Sequence, residues 1–167
     1  MKKVLIAIDY NPCATKVAET GYDYARAMNA EICIVHAIAD IAYYTREYSP
    51  IMGFKGFSND GSFRDIDEQE KEANIFLTAV VHHLGDKRIK TKVLDGKTAE
   101  TILEYAELWK ADLIVMGAQS HNSFEKVLMG DVAVNVLKHS PMAVLIVPTD
   151  KQEQDMVSEK EEIHLYI

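Results

Sequence analysis

The segment from Gly117 to Ser123 has the residue types of a loop that binds an anion. Its residues are small or polar, and the segment leads toward Gly130, which opens a helix predicted from apolar periodicity. The first amides of a helix lack intrahelical partners, and the helix dipole adds partial positive charge beside them. A small, polar loop that ends at a helix start can therefore hold a phosphate group.

Other patterns that could indicate catalysis or metal binding are incomplete. Gly96-Lys97-Thr98 matches the end of a Walker A motif, but Thr91 stands where that motif needs its first glycine. The adjacent His82 and His83 face different directions on a helix, which argues against a metal pair. Cys13 and Cys33 lie 20 residues apart without clustered histidines, so neither a zinc site nor a disulfide is expected. We therefore expect no enzymatic turnover and no metal site.

Five short runs, mostly of apolar residues, have the length of strands. Four of the runs are continuous rather than alternating. The third alternates between apolar and polar residues, which predicts a more exposed strand at a sheet edge. Continuous runs predict strands that are covered on both faces. His36 and Cys33, in the second run, are expected to be core residues. The runs are Lys3 to Ile8, Ile32 to Ile38, Ile89 to Leu94, Asp112 to Gly117 and Met142 to Val147.

Four amphipathic helices are predicted between these runs. The first is expected to begin at Asn11-Pro12 and to end at Asn29, and the second to run from Asp65 to Gly85. The third follows Thr98, and the fourth ends before Pro141. This order predicts an α/β fold, a doubly wound five-stranded parallel sheet of the Rossmann-like class with helices on both faces. Such sheets bind ligands beyond the carboxyl ends of their strands, where strand order reverses.

Composition and charge exclude several classes of protein. The chain has 167 residues, 48% of them apolar, which excludes wholesale disorder. Its 18 basic and 26 acidic residues give a net charge of -8, so nucleic acid is not an expected partner. Apolar runs of at most seven residues are too short to span a membrane, and Asp9 ends the first run too early for a secretory signal. We expect a cytoplasmic protein.

The predicted domain covers residues 1–148, and two segments of the chain lie outside its pattern of strands and helices. Residues 40–64 form a long insertion with six aromatic residues, which is interpreted either as a lid or partner contact or as a disordered loop. Residues 149–167 form an acidic tail that carries half of the net charge. This tail is interpreted either as a solvated terminus or as an extra strand on a sheet edge.

In its order of elements and its motifs, the sequence resembles the universal stress protein family. Nucleotide-binding members of that family have G-x-x-G after the fourth strand, then nine residues, then G-[S/T] and a helix. This chain has Gly117-x-x-Ser120, nine residues and Gly130-Asp131. The resemblance covers residues 2–148 and includes three further motifs, namely Ala7-Ile8-Asp9, Val35-His36-Ala37 and Gly96-x-x-Ala99-Glu100-x-Ile102.

The resemblance implies a fold like that of the adenine nucleotide α-hydrolases and a site for an adenine nucleotide, ATP or AMP. Asp9 and Ala37 would lie at the adenine and ribose end, where the Asp9 carboxylate suits ribose hydroxyls. Alternatively, Asp9 is a turn residue that starts the first helix. The complete set of candidate nucleotide-binding residues is Ala7, Ile8, Asp9, Ala37, Met116, Gly117, Gln119, Ser120, His121, Gly130, Asp131 and Val132.

Two positions depart from the family motif. Ser120 replaces a glycine, although its hydroxyl could donate a hydrogen bond to phosphate. Asp131 replaces a Ser or Thr, so a hydroxyl donor becomes an anion. At about 4 Å and an effective dielectric near 20, two like charges repel by about 4 kcal/mol. A triphosphate would then need Mg²⁺ as a bridge, unless Asp131 is simply an acid that stabilises the first turn of its helix.

The sequence thus predicts a regulatory module that binds an adenine nucleotide. The alternative is a nucleotide-free stress-response or signalling module with a degenerate phosphate loop. A slow ATP hydrolase is a third possibility, and it has the least support because no base or nucleophile is placed by the sequence. The resemblance also implies a homodimer joined through the last core strand, Met142 to Val147.

Overall fold

A computed structural model of the chain describes residues 1–38, 52, 66–118 and 129–149. Strands and helices alternate along these ranges, as the apolar patterns predict. The elements are β1 (Lys3–Ala7), α1 (Ala14–Ala27), β2 (Glu31–Ile38), α2 (Ile66–Leu84), β3 (Lys90–Asp95), α3 (Thr98–Trp109), β4 (Leu113–Gly117), α4 (Asp131–His139) and β5 (Ala143–Val147).

The strands form one parallel sheet in the order β3-β2-β1-β4-β5. The chain starts in the middle of the sheet, adds β2 and β3 on one side, and then crosses over to add β4 and β5 on the other. This reversal is the defining feature of a doubly wound sheet. The predicted fold class is therefore confirmed, and β3 lies at an edge as its alternating pattern indicates.

The central strands of the sheet are covered on both faces, which is why nearly every position in them is apolar. Val4 and Ile6 of β1 belong to the core that contains α1 and α2, whereas Leu5 and Ala7 belong to the core that contains α3 and α4. Cys33 lies in the second of these cores and is fully buried, as expected. Each strand thus contributes alternate side chains to two separate apolar layers.

The start of α1 differs from the prediction. The helix begins at Ala14 rather than at Asn11-Pro12, because the Asn11 side chain forms a turn of its own, in which Oδ1 accepts the N–H of Cys13 at 2.9 Å. The two predicted helix ends agree better with the structure. Asn29, with a φ of 50°, follows the last turn of α1, and Gly85, with a φ of 69°, follows α2.

Several sequence predictions concern residues outside the described ranges. These are the alternatives for the insertion (of which Met52 is described) and those for the acidic tail beyond Thr149. Within the described ranges, no helix is both long and apolar enough to cross a bilayer. The same ranges contain no cluster of three or more His, Cys, Asp or Glu residues with the geometry of a metal site.

Candidate functional site

The strand order reverses between β1 and β4, so the candidate site lies at the carboxyl ends of these two strands. Ala7 and Met116 are neighbours in the parallel register here, and both are largely buried. Ala7 is also in register with Val35 of β2, which places Ala37 beside the residues that follow β1. Three strand ends therefore meet around one edge of the sheet.

The turn after β1 is held to the neighbouring strand by the backbone. Ile8 donates its N–H to the carbonyl oxygen of Val35 at 3.0 Å, which extends the pairing of β1 with β2 by one residue. Asp9 follows and is half-buried, and its Oδ1 accepts the N–H of Asn11 at 3.1 Å. Asp9 therefore forms a turn with Asn11, and its role at the ribose end stays a prediction. A carboxylate can accept several hydrogen bonds, so this contact does not prevent Asp9 from binding a hydroxyl group as well.

His36 is a buried core histidine, as expected, and it contacts the same turn. Its Nδ1 lies 3.0 Å from the carbonyl oxygen of Ile8, and only 2% of the residue is exposed. The imidazole also packs on Tyr10, at a centroid distance of 4.3 Å, and on Phe76 of α2, at 5.7 Å. Tyr10 was not predicted from the sequence as part of the site, although it directly follows Asp9. His36 thus links β2 and α2 to the turn after β1.

Backbone hydrogen bonds join the end of β4 to the start of α4. Ala118 donates its N–H to the carbonyl oxygen of Val147 at 3.0 Å, and its own carbonyl oxygen accepts the N–H of Gly130 at 2.8 Å. Gly130, the N-cap residue of α4, is buried with an extended backbone (φ -62°, ψ 151°). The first amides of α4 are therefore anchored at the carboxyl edge of the sheet, where a phosphate would meet the positive end of the helix dipole.

Gly117 lies where helix α1 and the residue after β5 both come close to the end of β4. A Cβ atom at this position would lie 3.3 Å from Cγ2 of Val17 in α1 and 3.6 Å from Cγ2 of Thr149. Thr149 is buried, although the sequence pattern places it in the acidic tail. Gly117 therefore allows the end of β4, helix α1 and the residue after β5 to pack closely.

The side chains at the start of α4 differ in exposure. Asp131, the first residue of the helix, is exposed, and Val132 is half-buried.

Gln119, Ser120 and His121 lie outside the described residues, so their roles remain predictions. The structure brings the other candidate residues to one edge of the sheet, in two groups. Ala7, Ile8, Asp9 and Ala37 lie at the ends of β1 and β2, and Met116, Gly117, Gly130, Asp131 and Val132 lie at the end of β4 and the start of α4.

The fold and the position of this edge define a class, the doubly wound α/β proteins with a candidate binding region at a topological switch point. The model of the universal stress protein family matches residues 1–148, and the chain belongs to this family. A curated relative, universal stress protein MJ0531 of Methanocaldococcus jannaschii, is 32% identical over 155 residues. That alignment covers 91% of this chain and 85% of the relative.

Solved structures of universal stress proteins have the same fold. One, described as a complex with cAMP, has a TM-score of 0.57 at 23% identity and covers 89% of this chain and 98% of its own. Another, from Archaeoglobus fulgidus and described as a complex with dAMP, has a TM-score of 0.59 at 19% identity. It covers 87% of this chain and 97% of its own. At these identities the likeness establishes the fold.

Proposed function

We propose that the protein is a regulatory module that binds an adenine nucleotide, ATP or AMP, at the carboxyl ends of β1 and β4. The observation that carries this proposal is the anchoring of α4 by the hydrogen bond from Gly130 to Ala118, at the point where the strand order reverses. This arrangement directs the positive end of a helix toward the edge at which doubly wound sheets bind ligands. The complexes of two family members with cAMP and dAMP support an adenine nucleotide as the ligand.

The two groups of candidate residues suit opposite ends of such a ligand. Ala7, Ile8 and Ala37 offer backbone atoms and a small apolar surface for a base, and Asp9 offers a carboxylate for ribose hydroxyls. The phosphates would lie toward Gly130 and the first amides of α4, together with Gln119, Ser120 and His121 of the preceding segment. In this orientation the nucleotide spans the switch point from β2 to α4.

Asp131 bears on which nucleotide binds. Its carboxylate is at the start of α4, where it repels a phosphate. Its exposure to solvent screens this repulsion, and a monophosphate carries less negative charge than a triphosphate. AMP therefore suits the site without help, whereas ATP needs Mg²⁺ to offset the repulsion.

The direct test is to identify any ligand released from the purified protein by mass spectrometry, and to titrate the protein with ATP, ADP, AMP and cyclic AMP by calorimetry, with and without Mg²⁺. Nucleotide release or a Kd in the micromolar range supports the proposal. If no nucleotide is released and no titration gives binding heat, the alternative of a nucleotide-free module with a degenerate phosphate loop takes its place.

The structure offers a matched pair of variants for the ribose end. Asp9 and Asp112 each accept a backbone N–H, but Asp9 follows β1 at the carboxyl edge, whereas Asp112 precedes β4 at the opposite edge. Asp9→Asn retains a side-chain oxygen for the N–H of Asn11 and removes the charge. We expect Asp9→Asn to weaken nucleotide binding about fivefold or more, and Asp112→Asn to leave it within about twofold.

The regulatory role is proposed because the sequence motifs place no catalytic base or nucleophile and because the chain belongs to the universal stress protein family. Prolonged incubation with MgATP, followed by chromatography of the nucleotides, tests this part. Turnover that survives further purification and is lost with Asp9→Asn would instead support the slow hydrolase.

We also propose that the protein forms a homodimer through β5. This strand lies at an edge of the sheet, and its apolar Val144, Leu145 and Ile146 are only half-buried. Among the described residues no strand pairs with the outer side of β5, and an edge with half-buried apolar side chains is well suited to pair with a second copy. Ala143→Glu, at the exposed start of β5, is expected to favour the monomer in sedimentation velocity. Thr91→Glu, on the opposite edge strand β3, is the control and should not.

A further inference from the structure

The turn after β1 is attached to one buried imidazole on both sides of Asp9. On the preceding side, the carbonyl oxygen of Ile8 lies 3.0 Å from Nδ1 of His36. On the following side, the ring of Tyr10 packs on the imidazole at a centroid distance of 4.3 Å and a tilt of 54°. His36 therefore contacts the residues on either side of Asp9, in addition to the hydrogen bond that the Asp9 side chain accepts from Asn11.

The hydrogen bond has a defined direction. A carbonyl oxygen can only accept, so Nδ1 of His36 must carry the proton and donate it to Ile8. The imidazole cannot move away to release this contact, because Phe76 of α2 packs against both rings, at 5.7 Å from His36 and 4.8 Å from Tyr10. His36, Tyr10 and Phe76 are each at most 2% exposed. Because packing already fixes the His36 side chain, little of its conformational entropy is lost when it holds the turn in the geometry that binds a ligand.

We infer that His36 is a positioning residue for the nucleotide site, which holds Ile8 and Asp9 in the geometry that binds the nucleoside. This inference rests on the proposed function and extends it from the residues that touch the ligand to a buried residue that does not. The consequence is specific: nucleotide affinity depends on the hydrogen bond from Nδ1 to Ile8, and not simply on the presence of a well-packed side chain at position 36.

Four variants separate positioning from stability. His36→Asn keeps a donor near the place of Nδ1, whereas His36→Leu keeps apolar volume and removes the donor. His36→Gln places its amide one bond farther along the side chain. Val80→Ala is the control, because Val80 is fully buried on α2 in the same core as Phe76 and lies four residues, about one turn, further along the helix. Urea unfolding gives the stability of each variant, and calorimetry with AMP gives its Kd.

We expect His36→Leu and His36→Gln to weaken AMP binding about 5- to 10-fold, the loss of roughly one hydrogen bond. His36→Asn should stay within about threefold of the wild type. Val80→Ala should lower stability while it leaves the affinity unchanged. If His36→Leu binds AMP as well as the wild type does, or if affinity simply follows stability through all four variants, His36 is structural and the inference is overturned.

One measurement needs no variant and covers the case in which His36→Leu does not fold. A histidine ¹⁵N spectrum of the wild type must show Nδ1 of His36 protonated, and a proton-free Nδ1 overturns the inference. Addition of AMP must also shift the amide resonances of Asp9 and Asn11. If the wild type binds no nucleotide, the proposed function fails and this inference fails with it. If the wild type binds and the affinity is indifferent to the donor at position 36, this inference alone fails.

Discussion

Gly130 donates its backbone N–H to the carbonyl oxygen of Ala118 at 2.8 Å. Ala118 follows β4 and Gly130 precedes α4, so the hydrogen bond brings the end of β4 and the start of α4 together at the carboxyl edge of the sheet. The N-terminus of α4 is thereby fixed relative to β4 by the described backbone alone. Asp131, the first helical residue, adds a negative charge at the start of α4.

The first prediction concerns that charge. Asp131→Ser removes a negative charge from the start of α4 and restores the hydroxyl found in the family motif. We expect ATP affinity without Mg²⁺ to rise about fivefold or more, and AMP affinity to rise less, because repulsion grows with the charge of the phosphates. Calorimetric titration measures both. Asp131→Asn separates the removal of charge from the gain of a hydroxyl, and equal ATP affinity in the wild type and both variants would contradict the proposed role of Asp131.

The second prediction concerns the contact between α1 and β1. A Cβ atom on Gly21 would lie 2.8 Å from Cδ1 and 2.9 Å from Cγ1 of Ile6, which is fully buried. Gly21→Ala should therefore lower the free energy of unfolding by about 1–3 kcal/mol, reduced by up to about 1 kcal/mol of gained helix propensity. Ile6→Ala removes Cδ1 and both Cγ atoms, so the double variant should lose less than the two single variants together. Urea unfolding of all four proteins tests this coupling, and strict additivity would refute the clash.

The third prediction is a pH dependence of stability. The Arg88 side chain, which donates to both carboxylate oxygens of Asp86, and the Arg88 backbone N–H lower the pKa of Asp86 well below its ordinary value. The folded state therefore binds this proton less readily than the unfolded state. The stabilisation is fully present above the unfolded pKa of about 4 and is lost as pH falls through the folded one.

Urea unfolding of the wild type and Asp86→Asn from pH 7 to pH 2 measures this effect. The gap between the two unfolding midpoints should be constant near neutrality and should narrow below about pH 5. Arg88→Gln should remove much of the same pH dependence, because it removes the main donor. A gap that stays constant down to pH 2 would show that Asp86 does not contribute through its charge.

The fourth prediction concerns thiol reactivity. Burial raises the pKa of the Cys33 thiol, and burial likewise raises the pKa of Tyr105 to about 12. Because the thiolate is the reactive form, Cys33 should resist a thiol reagent at pH 8 until the protein unfolds. A Cys13→Ala variant isolates this thiol. Adding Tyr105→Phe, which removes the hydroxyl 3.8 Å from Sγ, should leave Cys33 unreactive because burial is the main cause. Rapid labelling in the folded state would contradict the prediction.

The elements of the fold were predictable because each depends on local pattern. Strands buried on both faces are continuous apolar runs, and helices that cover them are apolar every three to four residues. The start of α1 was predicted wrongly for an equally local reason. Asn11 can bond either as a helix cap or in a turn of its own, and both use the same side-chain oxygen.

The candidate site was predictable only in part. Asp9 and Gly130 were recognised because they follow a strand and begin a helix. The contacts of His36 with Ile8 and Tyr10 were not anticipated, since His36 and Ile8 are 28 residues apart. Packing between distant residues has no local signature in a single sequence.

The sequence by itself determined the order of strands and helices, the family and the residue types at the candidate site, because these follow from periodicity and from short motifs. Only the tertiary structure decided that Gly130 meets Ala118 and that His36 holds the turn around Asp9. The physical reason is that these contacts join elements that are adjacent in the sheet and distant in the chain. Their distances depend on how the two apolar layers pack.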